Sequence, residues 1–385
     1  MKVLMLWEYY PIYLSYFYQK YPEVLDLPFE EHRQRIFDDH FGWPADLSQY
    51  MNQQGIETEF IIANAETLQK RWAKEQGGNS FNEHNWEKAI ALEQIRRFSP
   101  DILWKINPTD DFDVFLDDAK GSYRKVWLYL GHKIPKLDLL GKADYLITPQ
   151  PKRILKHYPQ LRNLANVHSG FSPTVLDQIG EVKKIYDIVF IGNITPEHQR
   201  RAEVLAYLIE NGINLKVFGG TPGLGRKYML KKGIENSRNG KLGQGIKLLA
   251  KAFLGSEYKK HAEVIKTVLQ PPVFGLDYYR TIAQARLALN IHIDMAEGFT
   301  GNMRMFETTG VGTCLITEDV EATAEIFKHG KEILTFSSKE HLLDLLQKID
   351  FGAKQIQDIA RAGQHRTLND YSINRMFDQI QAIIQ

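Results

Sequence analysis

Arg304 and Glu307 stand three residues apart in NMRMFETTGVG, residues 302–312, a stretch whose apolar spacing predicts a short helix from Met303 to about Thr309. Residues so spaced share one helix face. A planar guanidinium suited to phosphate oxygens would therefore sit beside a carboxylate suited to hydroxyls. Asn302 is placed to be the N-cap, and a loop holding Glu297, Gly298 and Gly301 leads into it. The unsatisfied N–H groups of a first helical turn form an anion site. Together these groups suit a diphosphate attached to a ribose.

Two strands must frame that helix. Leu287–Ile293 reads as the one before the loop, and Thr313–Thr317 as the one after a Gly310/Gly312 stop. In the first, period two puts Asn290, His292 and Asp294 on one side. Polar side chains on a buried strand need partners, so the row is either a satisfied internal network or the floor of a pocket. His292 and Asp294 are too few ligands for a metal, and none is expected.

Upstream, strands predicted at Lys2–Trp7, Glu57–Ala63, Asp101–Ile106, Lys125–Leu130 and Asp144–Thr148 alternate with helical stretches, the pattern of a parallel sheet covered on both faces. Ligands gather beyond the carboxyl ends of such strands, which singles out Lys105, Ile106 and Asn107, then Gly131 and His132, then Thr148 and Pro149. The strand in DIVFIGNITPEHQRR, residues 187–201, opens onto Gly192 and Asn193, a turn that lets the chain approach phosphates closely. Arg200 and Arg201 follow, as a phosphate contact or a basic surface pair. Leu215–Gly219 is the next strand. Tyr9, Tyr10, Tyr13 and Tyr16 form either a stacking wall for an acceptor or the packing of a long loop. Asp38, His40 and Trp43 sit at a helix break before Pro44, as a loop tip or a reach toward the interdomain face. Tyr278 and Tyr279 read as helix-face packing, and the stretch beyond Glu332 as helical to the end.

Composition limits the rest. At 385 residues, with 43% hydrophobic and 25% charged residues, the chain fits two globular domains. A formal charge of +1 gives no basis for a nucleic-acid partner. The single cysteine, Cys314, agrees with a reducing compartment. No apolar run is long enough for a membrane span and no signal-peptide pattern opens the chain, so a cytoplasmic location is expected. Residues 223–260 carry ten Lys and Arg against Glu235 and Glu257, as a solvated face or as an amphipathic arm in peripheral contact with an anionic membrane.

NIHID, NMRMFETTGVG and LITED, followed by EIFKHGKEILTF and AGQHRTL, resemble the donor-binding segment of GT-B glycosyltransferases. They are most similar to the CgeB/YkvP spore-protein family of glycosyltransferase-like proteins. The likeness covers most of residues 185–380 and is looser before them. It implies an α/β fold of two Rossmann-like parallel-sheet domains facing each other across a cleft. Residues 1–175 would form the acceptor side, 185–369 the nucleotide-sugar side, and 370–385 a helix crossing back. The implied activity is metal-independent transfer of a hexose-like sugar from a nucleotide-diphosphate donor, with no further cofactor, to a glycan, protein or small-molecule acceptor. Gly192, Asn193, Arg200, Asn290, His292, Gly301, Asn302, Arg304 and Glu307 would bind the donor, with Glu307 on the ribose. His132, after WLYLG, and Glu297 are the catalytic candidates. Retaining members carry two glutamates with seven residues between them. Glu297 and Glu307 have nine, so the pattern carries over to Glu307 alone. Two competing readings are a non-catalytic GT-B-fold coat or assembly protein that binds a nucleotide, and a sugar-nucleotide epimerase, which needs more carboxylates and histidines than this chain offers.

Overall fold

Short apolar segments with no turn residues inside them become the strands. In the computed structural model, which describes residues 1–77, 84–109, 111–131, 134–195, 198–220, 230, 234, 246, 257–292 and 301–384, they form two separate six-stranded sheets. The first comprises β1 (Lys2–Trp7), β2 (Glu57–Ile62), β3 (Ile102–Ile106), β4 (Lys125–Tyr129), β5 (Tyr145–Thr148) and β6 (Leu164–Asn166), in the order β2-β1-β3-β4-β5-β6. The second comprises β7 (Tyr186–Ile191), β8 (Leu215–Phe218), β9 (Leu269–Gln270), β10 (Ala285–Asn290), β11 (Cys314–Glu318) and β12 (Leu334–Phe336), in the order β12-β11-β10-β7-β8-β9. Every pairing is parallel. Parallel strands need helical crossovers, which bury both faces. Accordingly Val3 and Met5 belong to one core and Leu4 and Leu6 to another, while Ile188 and Phe190 lie opposite Val189 and Ile191.

In the second sheet the chain winds outward from β7 to β9, then returns to β10 on the other flank. Such a reversal leaves a crevice at the carboxyl ends of the two central strands, where open α/β sheets bind ligands. Here those strands are β7 and β10, which end at Ile191 and Asn290. The strand expected at Leu287–Ile293 thus starts two residues earlier and stops at Asn290, because its pairing with β7 begins at Ala285 opposite Tyr186. The stretch after Glu332 is not helical throughout, since Leu334–Phe336 adds β12 beside β11.

The domains are joined at two places. Phe171 N–H donates to Tyr371 O at 2.8 Å and Ile373 N–H donates to Phe171 O at 2.9 Å, lacing the connecting segment to the start of the last helix, Ile373–Ile384. That helix buries Ile373, Met376, Phe377 and Ile380 in the first domain's core, with Phe377 against Tyr50. On the other side, helix Pro11–Lys20 meets the start of helix Gly275–Ala283, where Asp277 pairs with Lys20 and accepts from Tyr16 Oη. Beside them Leu276 N–H points at Asp39 Oδ1, 3.3 Å away.

Asp39 makes this second joint sensitive to pH. Burial raises its carboxyl from 3.8 to about 6, opposed by the Leu276 N–H, Lys20 and Tyr13, while Asp277 adds to the rise. Between those values the folded chain keeps a proton that the unfolded chain has released, so stability falls as pH climbs from 3.8 to about 6. Asp39→Asn keeps an oxygen to accept from Leu276 and removes the titration. It is expected to flatten that decline and to exceed the wild type in stability above pH 6 by about 2 kcal/mol. Thermal unfolding followed from pH 4 to pH 8 checks this; parallel curves for the two proteins would refute it.

Candidate functional site

The helix expected from Met303 extends to Gly310, with Met305, Phe306, Thr308 and Thr309 buried on its inner side. Asn302 occupies the N-cap position in extended geometry, yet its side chain bonds none of the first-turn N–H groups. It turns instead to β10, where its Nδ2 donates to Asn290 Oδ1 at 3.0 Å. Asn290, fully buried, donates in turn to Thr317 Oγ1 at 3.0 Å. The polar residue at the end of β10 therefore fixes the helix tip to the sheet, and the Asn302 side chain is not spent on capping the tip's N–H groups.

Arg304 lies over the Phe190 ring, 5.8 Å from its centroid. Its Nη1 is 3.5 Å from Asn290 Oδ1, at the outer limit of a hydrogen bond, and its buried Nε has no partner among the described residues. A methyl group added at Gly192 would come within 3.0 Å of its Nη2. Gly192 in turn donates its N–H to Phe218 O at 2.9 Å. The glycine turn after β7, the guanidinium and the helix tip are thus brought to one crevice.

Glu307, one turn along, accepts from Tyr278 Oη at 2.6 Å through Oε2. Burial raises its carboxyl, while the Tyr278 hydroxyl and the Arg304 charge pull it back down. It lines a cleft shared with Trp43 and Asp46 of the first domain, Ser169, Gly170 and Ser172 of the connection, and Tyr279, Met303 and Phe306. Gly301, at φ +112°, packs against Pro149 and His168, and Met303 reaches Gly42. The helix tip therefore faces the gap between the domains. Tyr278, read from sequence as packing, is a polar partner of the candidate site. Its link to Glu307 joins two elements and leaves no local signal.

The other candidates separate. Arg200 pairs with buried Glu318 at 2.7 Å, and Glu318 Oε2 also accepts His292 N–H at 2.7 Å. Arg201 is the buried neighbour, donating to Asn193 O at 2.6 Å and Ile291 O at 3.0 Å, so it ties the ends of β7 and β10 together. His292 is neutral, its imidazole lowered to about 4 by burial and by the charges of Arg304, Arg201 and Arg200. His132, Glu297 and Asp294 lie outside the described residues, as does most of 223–260. Of the four N-terminal tyrosines, Tyr9 and Tyr13 are core residues, with Tyr13 stacked on Phe41 at 3.7 Å. Tyr16 bonds Asp277, and Tyr10 keeps about half its surface exposed while its phenol is raised first by burial, with Arg304 lowering and Glu307 raising it. His40 is buried between Asp46 at 2.7 Å and Gln178 at 2.8 Å, a structural link rather than a loop tip. Among the described residues no three His, Cys, Asp or Glu side chains are grouped to hold a metal, and no helix is long and apolar enough to cross a membrane.

Two doubly wound parallel sheets meeting at a cleft, with a final helix returning to the first domain, define the GT-B fold of glycosyltransferases. Within it, residues 241–382 match the family described as glycosyl transferase-like. The whole chain is similar to HepE from Anabaena, solved with UDP and glucose, at a TM-score of 0.55 and 10% identity over 100% of this chain and 99% of that one. It is also similar to sucrose-phosphate synthase from Thermosynechococcus elongatus, at a TM-score of 0.58 and 9% identity over 100% and 98% of the two chains. A glycosyltransferase from Rickettsia africae gives 0.55 and 10% over 99% and 97%. No curated protein matches the sequence.

Proposed function

We propose that this protein transfers a sugar from a nucleoside-diphosphate donor to an acceptor bound against its first domain, without a metal ion. The observation that carries the reading is helix Met303–Gly310, which starts at the sheet's reversal point with no side-chain cap from Asn302 and whose Met303, Phe306 and Glu307 line the interdomain cleft, with Arg304 one turn from Glu307. As the bond from the anomeric carbon to the diphosphate breaks, negative charge grows on the leaving oxygens. The N–H groups of the tip, the Gly192 turn and the Arg304 guanidinium meet that charge from fixed positions. Glu307 takes a ribose hydroxyl through a charge-assisted hydrogen bond. A bond forms from the acceptor oxygen to the anomeric carbon, and the acceptor proton passes to a base, for which His132 and Glu297 are the candidates. Further support comes from HepE, a structural relative solved with UDP-glucose. The resemblance of its motifs to CgeB-like proteins supports membership of that branch, with a hexose as the sugar.

Glu307→Ala is expected to weaken binding of uridine or guanosine diphosphate by about 1.5–3 kcal/mol, the worth of a hydrogen bond to a charged group. Isothermal titration with both nucleotides measures it, and unchanged affinity in a folded variant refutes the ribose contact. Incubation with a panel of nucleotide sugars, scored for nucleoside diphosphate release, tests transfer itself. Binding without turnover would favour a coat protein, and an isomerised sugar nucleotide an epimerase.

A further inference from the structure

Helix Gly275–Ala283 belongs to neither the glycine turn nor the helix tip, yet it sends Tyr278 and Tyr279 to the site. Tyr278 Oη lies 2.6 Å from Glu307 Oε2. The phenol is held protonated, its ionisation pushed well up by burial and by Glu307, against the pull of Arg304. It can therefore donate to the carboxylate, and the donated bond occupies one of the two carboxylate oxygens. We infer that Tyr278 is a positioning residue for donor recognition: its bond to Oε2 holds the Glu307 carboxylate in one orientation at the cleft, poised to accept from the ribose. This rests on the proposed role of Glu307.

The position of Tyr278 is itself determined by the first domain. Its helix begins where Leu276 N–H meets Asp39, and Asp277 one residue before it is bound by Lys20 and Tyr16. Arg280, two residues after it, donates to Gln178 O at 3.3 Å. The helix packs on Met303–Gly310, and Tyr278 and Tyr279 meet edge to face with ring centroids 5.3 Å apart. A Glu307 left without the phenol would lose a donor that opposes the effect of burial. Among the described residues, the charged and titratable groups that face it are Arg304 on its own helix, Tyr278 and Tyr279 on the neighbouring one, and Tyr10 and Asp46 from the first domain.

The test is titration of wild type, Tyr278→Phe, Glu307→Gln and the double variant with whichever of uridine or guanosine diphosphate the wild type binds, and with its 2′- and 3′-deoxy analogues. Tyr278→Phe is expected to bind the ribonucleotide about tenfold more weakly. It should lose most discrimination against the deoxy analogues, and add no further loss on the Glu307→Gln background. The pH below which binding fades should also rise in Tyr278→Phe, a shift that a purely structural tyrosine would not cause. Wild-type affinity in Tyr278→Phe while Glu307→Gln is impaired would overturn the positioning role and leave the ribose contact standing. Undiminished discrimination against the deoxy analogues in Tyr278→Phe would likewise overturn the positioning role. A neutral Glu307→Gln would overturn the ribose contact and this inference with it.

Discussion

Arg304→Ala should lower affinity for a nucleoside diphosphate by two to three orders of magnitude, about 3–4 kcal/mol, and leave the melting temperature close to that of the wild type. The two halves of that expectation come from one geometry. No carboxylate among the described residues lies within ion-pair distance of Arg304, so removing the guanidinium breaks no salt bridge. The side chain also sits in the first turn of its helix, where the positive end of the peptide dipoles disfavours a cation by about 0.3–1 kcal/mol. The helix dipole therefore opposes Arg304 while Glu307 and the Phe190 face favour it, so its net worth to the empty protein is small. Its retention is explained if an anion completes the site, supplying acceptors for the unpartnered Nε and for the fork above Gly192. Arg304→Lys keeps the charge and loses the fork, and should fall between wild type and alanine. Titration calorimetry beside thermal unfolding measures both halves. A variant that melts well below wild type and binds normally would make Arg304 a structural residue.

The sheet alternation was readable because strands and helices of ordinary length carry their periodicity in a single window. β1 was expected at Lys2–Trp7 and is found there, and β3, β4 and β5 fall within a residue of their expected bounds. β6, β9 and β12 escaped because two or three residues are too short to show alternation, and only their neighbours make them strands. Arg304 and Glu307 were paired by helical spacing, which is a local property. The assignment of Arg200 over Arg201 was not decidable in that way. Consecutive residues point about 100° apart on a helix, and which of the two turns inward depends on Asn193 O and Ile291 O waiting at the ends of two strands.

What the sequence hid most fully is contact between distant segments. Asp39 and Leu276 meet from opposite domains, and Tyr278 finds Glu307 across two helices. Neither pairing has a spacing rule. The tyrosine-rich N-terminal stretch shows the converse. Four similar residues received one shared pair of readings, and burial divides them into core rings, an Asp277 partner and a part-exposed ring.

Gly219→Ala is expected to be the most damaging of the single-methyl changes near the site. A Cβ at Gly219 would stand 2.2 Å from Gly192 O, which is backbone and has little freedom to retreat. Gly192 is held by its own N–H bond to Phe218 O at 2.9 Å and is backed by the Arg304 guanidinium. The turns after β7 and β8 must therefore part, at a cost of about 3 kcal/mol, the upper range for overpacking a tight site. In a domain of this size that is roughly 6–12 °C in melting temperature. The same displacement moves Gly192 relative to Arg304, so donor affinity should drop together with stability. Gly212→Ala is the control. Its φ of +80° strains any side chain, but nothing lies within 4 Å of the added methyl, so it should cost about 1–2 kcal/mol and leave binding intact. If the two variants lose the same stability and neither loses affinity, the glycine turns contribute conformational freedom alone. If Gly219→Ala alone loses both, close approach of the two strand ends is what shapes the phosphate side of the site.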